Sequence, residues 1–353
     1  MLGQMFMVGV KAERLSAEEL SAFNDLAVGG FILFKHNLIE PQQIVTLCRS
    51  LWDLGGEHPP FIAIDQEGGR VHRLPLPFSH FPAAASLASA QRPHLAYQIG
   101  RATAAELTMA GINLNFAPVL DVDSNPQNPI IGDRSFGRDP QQVIRFSEAT
   151  MAGLRDGGII ACGKHFPGHG DTDQDSHSVL PVVDRSLAEL HARELPPFAH
   201  ACQKNVEALM TAHVLYPALD PRWPATLSQT IVNGLLRQEL GFEGVVFSDD
   251  LEMKAISDHY GDEQAAALCV RAGVDVLLYG HELGKALRAF EFIAAQATRN
   301  SYLRTQLEAS YRRTTQLKGR FLKTFTGVMN KSLEFQLVDL GHQRLVDAIY
   351  GNL

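Results

Sequence analysis

A chain of 353 residues can hold two ordinary domains or one large barrel, and its 45% hydrophobic, 20% charged composition without low-complexity tracts is that of a globular protein. The net charge of −8 argues against a dedicated nucleic-acid binder, and no apolar run approaches the ~20 residues that span a membrane.

The first strand is expected at Met5–Val10, an apolar run too short for a signal peptide and with no basic residue before it. Further strands are expected at Gly30–Phe34, Phe61–Asp65, Asn113–Val119, Ile159–Lys164, Ala208–His213, Gly244–Ser248 and Val274–Tyr279. Helical periodicity falls between them, near residues 16–27, 41–54, 94–110, 140–156, 186–204, 228–240 and 262–272, with an eighth helix near 281–297. Ser16 with Glu19 and Ser186 with Glu189 have the spacing of capping boxes. Strands that are apolar throughout and alternate with helices imply a parallel sheet covered on both faces. Eight units imply a single α/β domain, a closed (β/α)8 TIM-like barrel over residues 1–300. A doubly wound sheet is the rival, but no G-x-G-x-x-G follows any strand. The tail, residues 301–353, carries basic helical patterns over Tyr302–Lys323 and is expected to pack on the barrel's outside. Cys48, Cys162, Cys202 and Cys269 lie among apolar neighbours without paired spacing, as expected of reduced core thiols in a cytoplasmic protein.

In such a barrel the chemistry sits at the C-terminal strand ends. There the sequence places Asp65 to Arg70 and Arg73 after strand three, Asp121, Asp123, Asp133 and Arg134 after strand four, and Lys164-His165 after strand five. His213 follows strand six, Asp249-Asp250 strand seven and His281 strand eight. Charges of both signs at six of the eight ends imply a polar pocket for a hydroxyl-rich ligand. The densest stretch, residues 164–177, holds three histidines, three aspartates and a lysine. Asp175 and His177, one residue apart, point to one side of an extended loop, where a carboxylate can orient an imidazole that titrates near ~6.5. A solvated loop histidine is the plainer reading. Asp249 suits a nucleophile on a rigid strand, or equally an N-cap for the next helix, a role Asp250 could also take. Arg73, Arg134 and Lys164 are either surface charges or donors to sugar hydroxyls. A calcium loop at Asp171, Asp173 and Asp175 fails, because Ser176 and Val182 occupy its glycine and glutamate positions. Spacing alone leaves zinc on His165, His169 and His177 open, although there is no H-E-x-x-H helix.

Lys164-His165-Phe166-Pro167-Gly168-His169-Gly170 followed by Asp175-Ser176-His177 resembles the signature of family 3 glycoside hydrolases, and within them the bacterial cytoplasmic β-N-acetylglucosaminidases of cell-wall recycling. Asp65 to Arg73, Ile131 to Phe136 and Phe247 to Met253 resemble the same enzymes in the same order. The resemblance implies a retaining mechanism with Asp249 as nucleophile and His177, paired with Asp175, as acid/base. It assigns Asp65, Arg73, Arg134, Lys164 and His165 to the N-acetylglucosamine. The implied substrate is N-acetylglucosaminyl-1,6-anhydro-N-acetylmuramic acid, with or without peptide. The expected enzyme is a monomer that binds this small molecule, with no cofactor or metal and no nucleic-acid or membrane partner. Some family members with a histidine acid/base accept phosphate in place of water, so a phosphorylase is the alternative.

Overall fold

The computed structural model describes residues 1–176, 179–328, 333, 337 and 341–349. Eight parallel strands form a closed barrel in chain order, with β1 pairing β8 to shut it. The strands are β1 (Phe6–Gly9), β2 (Gly30–Leu33), β3 (Phe61–Ile64), β4 (Leu114–Asn115), β5 (Ile160–Phe166), β6 (Ala208–Thr211), β7 (Val245–Asp250) and β8 (Val276–Tyr279). Alternate residues of each strand separate into two packing groups. Met7, Ile32, Phe61, Phe116, Met210 and Phe247 fill the barrel, whereas Val8, Phe31, Ile62, Leu209 and Val246 pack outward with the helices. Both faces are apolar, so the period of two is hidden in the sequence. Phe247 meets Phe61 and Phe116 edge-on, with ring centroids at 5.7 and 5.5 Å, and so plugs the interior below its mouth.

The surrounding helices are α1 (Ala17–Leu26), α2 (Pro41–Trp52), α3 (Ala84–Ser89), α4 (Pro93–Ala110), α5 (Pro140–Asp156), α6 (Leu187–Ala192), α7 (Pro196–Gln203), a π-helix (Thr230–Glu239), α8 (Lys254–Ser257), α9 (Asp262–Ala272) and α10 (Leu283–Arg299). Both capping boxes form, at Ser16–Glu19 and Ser186–Glu189. Where one helix is expected over 186–204 there are two, because Pro196 lacks an N–H and starts a new helix at its first position. Strand four is shorter than expected: Pro118 cannot donate to a ladder, and only the bridge Val119–Lys164 continues the pairing. Strands five and seven are longer, reaching Phe166 and Asp250. Each carries a register shift near its C-terminal end, between Lys164 and Phe166 on β5 and between Phe247 and Asp250 on β7. An extra residue on one strand re-aims the side chains beside it. His165 and Asp249 both lie within these shifts.

Helix α11 (Ser301–Phe321) closes the opposite end of the barrel, with Leu317 and Leu322 packed on the inner core. Lys318, fully buried there, donates to Gln4 Oε1 at 2.6 Å and to the Gly29 carbonyl at 2.7 Å, and lies 4.8 Å from the Phe61 ring centroid. Nearby, Asp275 accepts from Arg237 at 2.5 Å, Arg313 at 2.7 Å and Ser310 at 2.8 Å. Among the described residues no helix is long and apolar enough to cross a membrane.

Candidate active site

The loop after β3 carries Glu67 inward, where a single carboxylate binds two cations. Arg134 grips it with Nε and Nη2, both at 2.8 Å, in the two-pronged geometry of a guanidinium on a carboxylate. Lys164, on β5, reaches the same carboxylate at 2.7 Å and Asp65 at 2.6 Å. Burial would raise the Glu67 carboxyl, but Lys164 and Arg134 outweigh it and hold it well below the usual carboxylate range. Burial would likewise lower the Lys164 ammonium, yet Asp65 and Glu67 hold it above its ordinary value. Asp65, with 18% of its side chain exposed, is the member of this cluster open to the cavity.

A second network fixes the turn after β5. Asp121, fully buried, accepts from His165 Nδ1 at 2.7 Å and from the backbone N–H groups of His165 and His169 at 3.1 and 2.8 Å. Burial opposes the Asp121 charge, but the neighbouring histidines keep this carboxyl below its usual value. The Nδ1 contact with Asp121 orients the His165 ring, which lines the cavity. The turn needs glycine at Gly170, where a Cβ would fall 1.6 Å from the Val122 carbonyl oxygen. His169 is buried and its proton affinity is depressed, to about 4, by burial and then by His165.

At the end of β7, Ser248 accepts from the Leu278 N–H at 2.9 Å, which steadies the shifted register, and Asp249 follows at the cavity. The next helix, α8, is capped by Met253, so neither aspartate serves as its N-cap. Asp250 instead accepts from the Glu252 and Gly280 N–H groups at 3.0 and 3.3 Å. Burial, reinforced by Glu252 and Asp249, pushes its carboxyl up to about 7.

These networks surround a cavity of about 550 Å3 at the C-terminal mouth. Asp65, Arg73, Arg134, Lys164, His165, Asp175 and Asp249 all line it. His177 lies outside the described residues. Two lining or supporting carboxylates were not singled out in the sequence: Glu67, inside the Asp65–Arg73 motif, and Asp121, noted only as a strand end. Their signal is geometric, since each acts by touching residues distant in sequence. Among the described residues no three His, Cys, Asp or Glu side chains are grouped to hold a metal ion.

A closed (β/α)8 barrel with a carboxylate on β7 and a lysine, arginines and histidines ringing its mouth defines an enzyme that takes a polar, hydroxyl-bearing ligand. Residues 1–317 match the glycosyl hydrolase family 3 N-terminal domain. A β-hexosaminidase of Neisseria meningitidis serogroup C (strain 053442) is 42% identical over 284 residues, 78% of this chain and 77% of that protein. The chain belongs to glycosyl hydrolase family 3, and it is a glycoside hydrolase of the β-hexosaminidase type. Solved relatives share the fold closely. A family 3 β-N-acetylglucosaminidase from Paenibacillus sp. str. FPU-7 superposes with a TM-score of 0.90 at 37% identity, covering 99% of this chain and 67% of that one. NagZ from Neisseria gonorrhoeae, in complex with N-trifluoroacetyl-D-glucosamine, gives 0.81 at 33% identity, covering 98% and 97%.

Proposed function

We propose that this enzyme is a retaining exo-β-N-acetylglucosaminidase that releases terminal β-1,4-linked N-acetylglucosamine from N-acetylglucosaminyl-1,6-anhydro-N-acetylmuramic acid, with or without peptide, in peptidoglycan recycling. The observation that carries the reading is the meeting of Asp249 and Asp175 in one cavity with the Lys164–Asp65 pair and Arg134. Lys164, Arg134, His165, Arg73 and Asp65 offer donors and acceptors suited to sugar hydroxyls. A sugar so held places its anomeric carbon over Asp249.

In the first step an Asp249 carboxylate oxygen attacks C1 while His177, oriented by Asp175, gives its proton to the departing glycosidic oxygen. The C1–O bond to the leaving sugar breaks and an acyl glycoside forms. In the second step neutral His177 takes a proton from water, whose oxygen attacks C1 and releases Asp249, so the β configuration is restored. Retaining glycosidases usually rest on two carboxyls ~5–5.5 Å apart. A histidine partner keeps Asp175 as a built-in anionic neighbour after Asp249 has been neutralised by glycosylation.

The test is the proton NMR spectrum of early products from an aryl β-N-acetylglucosaminide in phosphate buffer. Free β-anomeric sugar that later mutarotates is expected. First-formed α-anomer would overturn the two-step mechanism, and sugar 1-phosphate would replace water by phosphate as the acceptor.

A further inference from the structure

His169 takes no part in the steps above, yet it is almost wholly buried and every polar atom of it is engaged. Its N–H donates to Asp121 Oδ1, which ties it to the His165 support. Its carbonyl accepts from Thr172 Oγ1 at 3.1 Å and Asn128 Nδ2 at 2.8 Å. Ring Nδ1 lies 3.0 Å from Thr172 Oγ1, and Nε2 lies 3.0 Å from Ser176 Oγ. One assignment satisfies all of these at once. Thr172 gives its single proton to the His169 carbonyl and also accepts from Asn128 Nδ2 at 3.1 Å, so its remaining lone pair accepts from Nδ1–H. The neutral ring then presents Nε2 as an acceptor for the Ser176 hydroxyl. Burial, and then the facing His165, leave this ring uncharged at neutral pH and outweigh Asp121 and Asp249, which favour its charge.

Ser176 is held from a second side. Its carbonyl accepts from the Ala255 N–H at 3.2 Å, and Ala255 lies in α8, just beyond the β7 end that bears Asp249. The residue next to Asp175 is thus pinned by its hydroxyl to the β5 turn and by its carbonyl to the β7 turn. Both anchors lie just beyond the strands that carry Lys164, His165 and Asp249. Ser176 is itself buried, so water does not compete for either bond.

We propose that His169 is a positioning residue for proton transfer: through Ser176 Oγ it sets the place of Asp175, the carboxylate partner of the acid/base histidine, relative to Asp249. The inference rests on the roles given to Asp175, His177 and Asp249 above. The pin matters when a proton must reach a poor leaving group and matters little when the leaving group departs unaided. A structural role alone would penalise both substrates alike.

The experiment compares an alkyl β-N-acetylglucosaminide with an activated aryl one in Ser176→Ala, Ser176→Thr, His169→Asn and the Ser176→Ala/His169→Asn double variant, with His177→Ala run in parallel. For Ser176→Ala, kcat/KM, which reports the first step alone, is expected to fall about tenfold on the alkyl substrate and less than about threefold on the aryl one. Ser176→Thr, which keeps the hydroxyl, restores the alkyl rate. The double variant is no slower than the worse single one, as for two residues that act through one bond. Equal losses on both substrates, no loss, or additive losses overturn the pin. Should His169→Asn fail to fold, the two Ser176 substitutions still decide. If His177→Ala depends on the leaving group and Ser176→Ala does not, only the pin falls. If His177→Ala shows no such dependence, the acid/base reading falls and takes the pin with it.

Discussion

The two ends of the barrel solve the same electrostatic problem and use the solution differently. At the mouth one buried carboxylate, Glu67, lies between Arg134 and Lys164; at the base one buried carboxylate, Asp275, lies between Arg237 and Arg313. The residue types are nearly the same and both sets are removed from bulk water. At the base, α11 covers the cluster and supplies Ser310 and Arg313 to complete it. At the mouth part of the Asp65 side chain stays open, and a cavity opens beside the cluster. Buried ion networks therefore do not mark function by themselves. What sets the mouth apart is a cavity lined by the cluster's own Asp65, Glu67, Arg134 and Lys164, where a ligand can take the place that α11 takes at the base.

Substitutions should separate the two ends. The largest effect is expected for Asp249→Ala, with a fall in kcat on the order of 10⁴-fold and an unchanged urea midpoint. A variant that kept more than a tenth of its turnover would remove Asp249 from the nucleophile role. Next comes a matched pair, Glu67→Gln and Asp275→Asn. The first should cut kcat/KM about 10²-fold through misplaced Lys164 and Arg134, with the smaller loss of stability, because Lys164 keeps Asp65 and the open cavity admits water to both cations. The second leaves two cations without their buried counter-charge and should cost roughly 3–5 kcal/mol in urea unfolding, with kcat per folded molecule intact. If both variants lost activity and stability in the same proportion, the contrast between mouth and base would be wrong.

The smallest effect concerns Lys318. Burial depresses its ammonium to about 7, so the folded chain releases this proton more readily than the unfolded one. Its stabilising contribution is complete above the unfolded value of ~10.4 and is lost as pH falls toward about 7. Lys318→Met should flatten the rise in stability between pH 7 and pH 10, read from urea midpoints across that range. An unaltered slope would show that Lys318 stays protonated on the Gln4 and Gly29 oxygens.

Much of this architecture is legible in the sequence because the strands are short apolar runs and the helices between them are amphipathic. Order, number and parallel pairing follow from that alternation. The polar residues at the strand ends meet in the cavity because a closed barrel gathers all eight ends on one side. What the sequence hides is of two kinds. The register shifts on β5 and β7 leave no compositional trace, since Lys164-His165-Phe166 and Ser248-Asp249 read equally well as strand or loop. The importance of Glu67 and Asp121 arises from contacts across 67 and 44 residues, which no local pattern encodes. The break at Pro196 was readable, and the helical period on both sides masked it.

Lys318 meets Gln4 across 314 residues of chain. During synthesis, at ~5–20 residues per second, the strands of the barrel emerge long before the helix that seals its floor. Until α11 leaves the ribosome, the N-terminal ends of β1, β2 and β3, where Gln4, Gly29 and Phe61 meet Lys318, lack their cover. The nascent barrel therefore passes through an interval with an exposed apolar base, when a chaperone or a neighbouring nascent chain could bind it, and the last turns of α11 end that interval.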